Sequence, residues 1–228
     1  MKLLFEDESI IVCVKPVGLL SQGEGENSLI SKLAEHTEGD IYPVHRLDRE
    51  VGGVMVYAKS KFAAASLSKQ VAQHSFEKEY LALVHGIPEK ESGIFEDLLF
   101  KDSRKNKVFV VTRERKGVRK AVCSYETLLS CQVGGIDCSL VKVKLRTGRT
   151  HQIRVQFASR KMPLFGDGKY GARDYERMIA LFSCTVGFSH PKSGDALRFE
   201  DFETENPLLN KMIEKAGIVR TEISGDEE

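Results

Sequence analysis

Apolar residues fall along this chain in short runs broken by turn-forming residues, and most runs are too short for helices. Residues 2–5 and 10–14 are apolar and are separated by Glu6-Asp7-Glu8-Ser9. That pattern predicts a hairpin, ended by Lys15-Pro16-Val17-Gly18. A Gly-, Gln- and Glu-containing loop spans 19–26, and Asn27 or Ser28 then caps a short helix with Leu29, Ile30 and Leu33 on one side. Residues 54–58 read as a short buried strand. Ser60 caps a helix to about residue 73, with Phe62, Ala63, Leu67 and Val71 at helical spacing. Residues 76–85 predict a strand stopped by Gly86 and Pro88, and further strands are expected over 107–112, 119–129 and 136–146. Within the last, residues 139–146 alternate, with Leu140 off the apolar face. Helix signals return over 150–160. Strands at 179–188 and 196–200 precede a final helix at about 207–216. Strands joined by short turns without intervening helices predict an α+β fold with a mixed, largely antiparallel sheet, not a doubly wound one.

Length and composition narrow the class. The 228 residues fit a single domain, 1–228, large enough to bury a core without disulfides. With 41% hydrophobic and 29% charged residues, the composition excludes a mainly disordered chain, a coiled coil and a collagen-like fibre. No apolar run approaches the roughly 20 residues a membrane helix requires. The N-terminus turns acidic at Glu6, which does not fit a signal peptide. Five cysteines, an odd number with no C-x-x-C pair, fit buried thiols in a reducing compartment, so a cytoplasmic location is expected. The six histidines do not join them at zinc-ligand spacing, so no metal is expected. Net charge is +1, but the charges are segregated. Residues 101–120 hold nine Lys/Arg against Asp102 and Glu114, whereas residues 199–228 hold nine Asp/Glu against Lys211, Lys215 and Arg220. The basic band reads either as a solvated hairpin or as a nucleic-acid footprint.

Two segments look unlike packing. Residues 45–53, HRLDREVGG, place charges in a loop directly before a buried strand, where functional residues concentrate. Arg46 and Arg49 flank Asp48 and favour its ionised form, which suits a nucleophile or general base; the alternative is a turn aspartate among surface arginines. Residues 146–154, RTGRTHQIR, follow an alternating strand and open a helix, gathering Arg146, Arg149, His151 and Arg154 around a glycine turn. Such a junction suits anion binding, or else it is a capped helix start with solvated arginines. Neither GxxxxGK[ST] nor GxGxxG is present, so no nucleotide cofactor is expected. Tyr80 in KEYLALVHG and the segment GDGKYG, 166–171, read by themselves as a packing tyrosine and a turn.

In this order, the segments resemble the RluA-type family of RNA pseudouridine synthases. The family's HRLDxxTSG appears as HRLDREVGG (45–53), KxYxAxVxG as KEYLALVHG (78–86), GRTHQIRVH as GRTHQIRVQ (148–156) and GDxxYG as GDGKYG (166–171). The opening LLFEDESIIVCVKPVGLLSQ and the segment FSHPKSGDALRFE (188–200) resemble the family's start and close, so the resemblance covers about residues 3–205. Departures are Val51-Gly52 for Thr-Ser, Gln156 for His, and Leu181-Phe182-Ser183 for a motif that is often LHA. Some relatives carry an RNA-binding domain ahead of the synthase; with the pattern starting at residue 3, none is expected here.

The resemblance implies a pseudouridine synthase fold, a bent sheet with flanking helices and a central cleft, and the isomerisation of specific uridines in structured rRNA and/or tRNA without cofactor or metal. It implies Asp48 as the catalytic carboxylate, Arg154 as the arginine that pairs with it, and Tyr80 against the target base. Leu181 approximately matches an apolar residue under the same site, and Arg46 matches an arginine that occupies the space of the flipped base. Arg149 and His151 are expected to bind substrate, and the basic band to hold backbone phosphates. The partner is RNA, with no membrane, and a monomer is expected. Two other classes compete: an RNA-binding module or folding helper without turnover, and a glycosidase or nucleoside hydrolase with Asp167 as second carboxylate. A zinc nucleobase deaminase is disfavoured, because H-x-E with PCxxC is missing.

Overall fold

The computed structural model describes residues 1–23 and 25–218. The end of the acidic tail, GDEE at 225–228, lies outside the described residues. The chain opens with the expected hairpin, β1 (Lys2–Glu6) and β2 (Ile10–Lys15), turned by Asp7 Oδ1 accepting from the backbone N–H groups of Ser9 at 2.7 Å and Ile10 at 2.8 Å. Helix α1 (Leu29–Thr37) follows Ser28, and a short β3 (Tyr42–Pro43) leads through a loop into β4 (Gly52–Ala58). Helix α2 (Lys61–Ala72) is capped by Ser60, whose side chain accepts from Ala63 N–H. Its inward stripe runs through the buried Ala63 and Leu67 to the partly buried Val71 at i, i+4 spacing, and Phe62, one position off that stripe, is 70% exposed instead of joining it.

The strands β5 (Glu77–His85), β6 (Ser92–Asp102), β7 (Lys107–Val111), β8 (Val118–Val133) and β9 (Ile136–Leu145) precede α3 (Gln152–Ala158) and a 3₁₀ turn (Gly168–Tyr170). β10 (Leu181–Ser189), β11 (Ala196–Glu200) and α4 (Pro207–Lys215) complete the described chain. β6 has no counterpart in the sequence pattern. Its inward positions include Asp97 between the buried Phe95 and Leu99, which hides the alternation. Asp97 is accommodated because Gln156 and Arg160 from the α3 side donate to it at 2.7 and 3.0 Å.

The strands form one mixed sheet in the order β1-β2-β4-β10-β5-β9-β8-β6-β7, with β3 beside β4 and β11 beside β10. Among the described residues, β4 and β10 make the one parallel pair, Phe182 opposite Gly52 and Ser183 opposite Gly53. Beyond that contact, Thr185–Ser189 of β10 pair with β11 instead, so the sheet divides there. Gly53 sits at the division with φ +133°, and a Cβ built there would lie 2.3 Å from the Ser183 carbonyl oxygen. Only a glycine lets the two backbones meet so closely.

Helices cover both faces, which explains the near-continuous apolar runs of the central strands. On one face, Met55, Tyr57, Tyr80, Val141 and Val143 share a core with Leu29 and Leu33 of α1 and with Ile153 and Phe157 of α3. On the other, Val54, Val56 and Val186 pack with Leu67 of α2, and Leu81, Leu83 and Phe182 with Leu209 and Met212 of α4. Leu140, off the alternating face, belongs to this second layer beneath α4.

Candidate active site

The loop that carries Asp48 is fastened on both sides of that residue. Ser21 Oγ donates to the Leu47 carbonyl at 2.9 Å and lies 3.2 Å from the Leu47 N–H. On the far side, the Arg49 carbonyl accepts from Gly18 N–H at 2.8 Å. Lys15, fully buried at the end of β2, donates to the carbonyls of Pro16 and Leu19 at 2.9 Å and reaches Arg49 O at 3.4 Å. Burial lowers the Lys15 pKa to about 8, opposed by Glu205, Asp48 and Glu50. Backbone hydrogen bonds therefore fix the Asp48 Cα and leave its side chain to the cavity.

Across the cleft, α3 presents Arg154, which is 2% exposed. Its guanidinium makes a two-point pair with Asp167, Nε to Oδ2 at 2.7 Å and Nη2 to Oδ1 at 2.9 Å. The remaining arm, Nη1, donates to Asp48 Oδ2 at 3.3 Å and lies 3.7 Å from Glu50. The expected arginine–aspartate contact exists, but the planar fork belongs to Asp167. Burial works against the Arg154 charge, yet the Asp167 pair and Asp48 outweigh it and hold the guanidinium above its ordinary pKa. Asp167 is completely enclosed, with both oxygens engaged, and so is not free as the second carboxylate of a hydrolase.

His151 starts α3 from a left-handed conformation (φ 50°) and brings Nε2 to 3.8 Å from Asp48 Oδ2. Burial lowers its pKa; Asp48 opposes this, and Arg154 and Lys169 add to it. Its Nδ1 meets the Tyr170 hydroxyl at 2.8 Å, and the same hydroxyl accepts from the backbone N–H of Val108 in β7 at 3.0 Å. The Tyr170 ring lies 5.3 Å from the Arg154 guanidinium. The segment that reads as a turn in the sequence, GDGKYG, thus supplies the partner of Arg154 and a tie between α3 and the basic hairpin.

All seven residues singled out in the sequence, Asp48, Arg154, Tyr80, Arg46, Leu181, Arg149 and His151, line one cavity of about 110 Å³. Tyr80 is buried on β5 and Leu181 opens β10 beside it, so their side chains form an apolar wall facing the charged one. Burial raises the Tyr80 phenol pKa well above its ordinary value, so its ring enters as a neutral surface. Arg46 is exposed on the rim, and Arg149 Nε is tied to the Lys120 carbonyl at 3.0 Å. Among the described residues, no group of three His, Cys, Asp or Glu side chains could hold a metal ion.

The three departures from the family pattern fall outside the charged cluster. Val51 is a buried wall residue and Gly52 is in the strand pair with β10. Gln156 is fully buried and accepts from Cys123 Sγ at 3.3 Å while donating to Asp97, so it fastens α3 to the sheet. Phe182 and Ser183 carry the β4–β10 register. Lys15, Lys78 and Tyr170 also belong to this region, and only the motifs in which they stand mark them in the sequence; Asp167, expected as a second carboxylate under the hydrolase reading, is instead the partner of Arg154.

Comparison with known proteins agrees with the geometry. Residues 9–159 match the family model described as RNA pseudouridylate synthase. The chain is 35% identical over 226 residues to an uncharacterized RNA pseudouridine synthase of Aquifex aeolicus, covering 90% of this chain and 70% of that protein. It is 31% identical over 240 residues to ribosomal large subunit pseudouridine synthase D of Zymomonas mobilis, covering 93% and 73%. The fold is similar to that of human RNA pseudouridylate synthase domain containing 1, with a TM-score of 0.77 at 19% identity, covering 96% of this chain and 95% of that one. With the family model spanning well over half of the sequence and relatives aligned along nearly all of it, the chain belongs to the RNA pseudouridine synthase family, isomerases that convert uridine in RNA to pseudouridine.

Proposed function

We propose that Asp48 is the catalytic carboxylate of this isomerase, and that the uridines it modifies lie in structured RNA, ribosomal and/or transfer RNA. The observation that carries this reading is the Asp48 carboxylate lining a cleft, 3.3 Å from a buried arginine, together with Tyr80 and Leu181. In the reaction the N1–C1′ bond breaks, the base turns, and C5 bonds to C1′. C5 gives up its proton and N1 ends with one, so atoms and electrons balance with no redox partner. An anionic Asp48 serves either as nucleophile or as base at C2′. Arg154, itself held rigid by Asp167, sets the position of the Asp48 oxygen. Tyr80 and Leu181 receive the flipped base without reading its identity, a contact worth roughly 1–3 kcal/mol. Arg46 on the rim fills the space the base leaves, and Arg149 and His151 hold the neighbouring sugar and phosphate. We read residues 1–228 as one catalytic domain acting as a monomer in the cytoplasm, a reading supported by five unpaired cysteines and by relatives named for the ribosomal large subunit.

The test is tritium release from [5-³H]uridine-labelled total RNA. Wild type is expected to release tritium equally with and without a chelator, and Asp48→Asn to fall at least 10³-fold, because the anionic oxygen is lost while size is kept. RNA binding by wild type with no release would move the protein to a binding module. Equal release by the two proteins would remove Asp48 from its role.

A further inference from the structure

A buried cation at this site has no counter-charge among the described residues. Lys78, on β5, is 8% exposed and makes no hydrogen bond or ion pair among the described residues. Burial lowers its pKa, and no acidic group among the described residues is close enough to offset that. Its neighbours are the Phe76 ring, 5.9 Å from Nζ, and the ring of His45, whose own proton Lys78 helps to repel. A buried, unpaired ammonium is unfavourable unless something outside the protein completes it.

What faces it is open space. Lys78, Gly148 and Arg149 form the wall shared by the Asp48 cavity and a second hollow of about 320 Å³ between the end of α2 and residues 146–149. That hollow adds His74 and Arg146, and no carboxylate lines it. Arg146 is exposed and unpaired among the described residues, and the Gly148 backbone N–H likewise has no partner among them. A Cβ at Gly148 would stand 3.2 Å from Lys78 Nζ, so glycine leaves the ammonium room for a ligand.

We infer that this hollow is the exit path of the RNA strand from the active cavity, with one phosphodiester seated on Lys78 between the Gly148 N–H and Arg146. The inference rests on the proposed RNA substrate and adds a named subsite to it. A phosphate there would supply the missing counter-charge, accept the free backbone donor, and set the strand at a fixed step from Tyr80 and Leu181.

The experiment uses the full chain and a fluorescent, uridine-rich RNA stem-loop, titrated between 50 and 300 mM KCl. Lys78→Met keeps the stem and removes the charge. It is expected to weaken binding roughly tenfold and to lower the salt slope by about 0.7, one single-strand phosphate, with Arg146→Ala behaving similarly and Lys192→Met, which removes an exposed lysine paired with Glu8, unchanged. An unchanged slope in Lys78→Met would overturn the subsite. A second readout needs no variant: acetylation of Lys78 in wild type, followed by mass spectrometry, should be suppressed by the stem-loop and not by inorganic phosphate. Equal labelling with and without RNA, or equal protection by phosphate alone, would also overturn it. Tritium release run in parallel separates the two readings. Lys78-dependent binding without release leaves the subsite and removes the isomerase assignment; release with Lys78 indifferent does the reverse.

Discussion

Lys15 and His45 are both buried and both lack an ion pair among the described residues, and each meets that problem differently. Lys15 keeps its proton by gathering backbone carbonyls. His45 gives its proton up. Its Nε2 accepts from Val56 N–H at 3.2 Å, so a second proton on the ring would evict that donor. Burial first, and Lys78 second, depress its pKa from 6.5 to about 3. The unfolded chain therefore takes up a proton below about pH 6.5 that the folded chain refuses. Stability is fully present above 6.5 and is lost as pH falls toward 3, by up to about 1.4 kcal/mol per pH unit for one such group. His151, also depressed by burial, contributes in the same direction. Urea unfolding of wild type and His45→Gln between pH 7 and pH 5 checks this: the variant should show the shallower decline. Asp48 and Arg154 were legible in the sequence because their motifs are dense in charge. The true partner of the Arg154 fork was not. Which of two aspartates an arginine faces depends on the rotation of α3 over the sheet, and no local pattern encodes that.

At the level of elements, the strand pair β4–β10 decides where the site forms. Both strands run the same way, so the loop before β4, with Asp48, and the start of β10, with Leu181, emerge at the same end. Gly53 makes that pairing possible. Gly53→Ala should cost about 2–4 kcal/mol, from the forced φ and the backbone clash together, and denaturant unfolding should register it as a lower midpoint with an unchanged slope. A loss below about 0.5 kcal/mol would mean that the two strands separate without consequence. Most elements announced themselves by periodicity, because most strands have one fully apolar face. β6 did not, since Asp97 occupies its inward face and is neutralised by residues near position 160 that local reading cannot see. Phe62 failed in the opposite sense: its spacing fitted a stripe that the helix turns elsewhere.

For the whole molecule, near-neutral charge conceals a division of labour. The basic band lies on the end of β6, on β7 and on the start of β8, and part of it is internally occupied: Arg115 stacks on Phe100 at 4.4 Å and Lys120 pairs with Glu96 at 2.6 Å. Lys105 and Lys116 are exposed and unpaired among the described residues. Under the proposed reading they touch backbone phosphates, so Lys105→Glu/Lys116→Glu should raise KM about tenfold or more at 150 mM salt while kcat at saturating RNA stays within about twofold. Steady-state tritium release gives both constants, and a fall in kcat at constant KM would count against the hairpin as a grip.

The distance along the chain between the two halves of the site has a consequence in time. Asp48 and Arg154 are 106 residues apart in sequence. At about 5–20 residues per second, a ribosome takes roughly 5–20 s to add that stretch. The partner of Arg154, Asp167, and the wall residue Leu181 come later still. A nascent chain carrying the aspartate therefore has no complete cavity around it until Leu181 has been added. If its substrate is ribosomal RNA, the unfinished enzyme emerges beside that RNA and, under the proposed reading, is inert toward it until the segment carrying Leu181 has joined the fold.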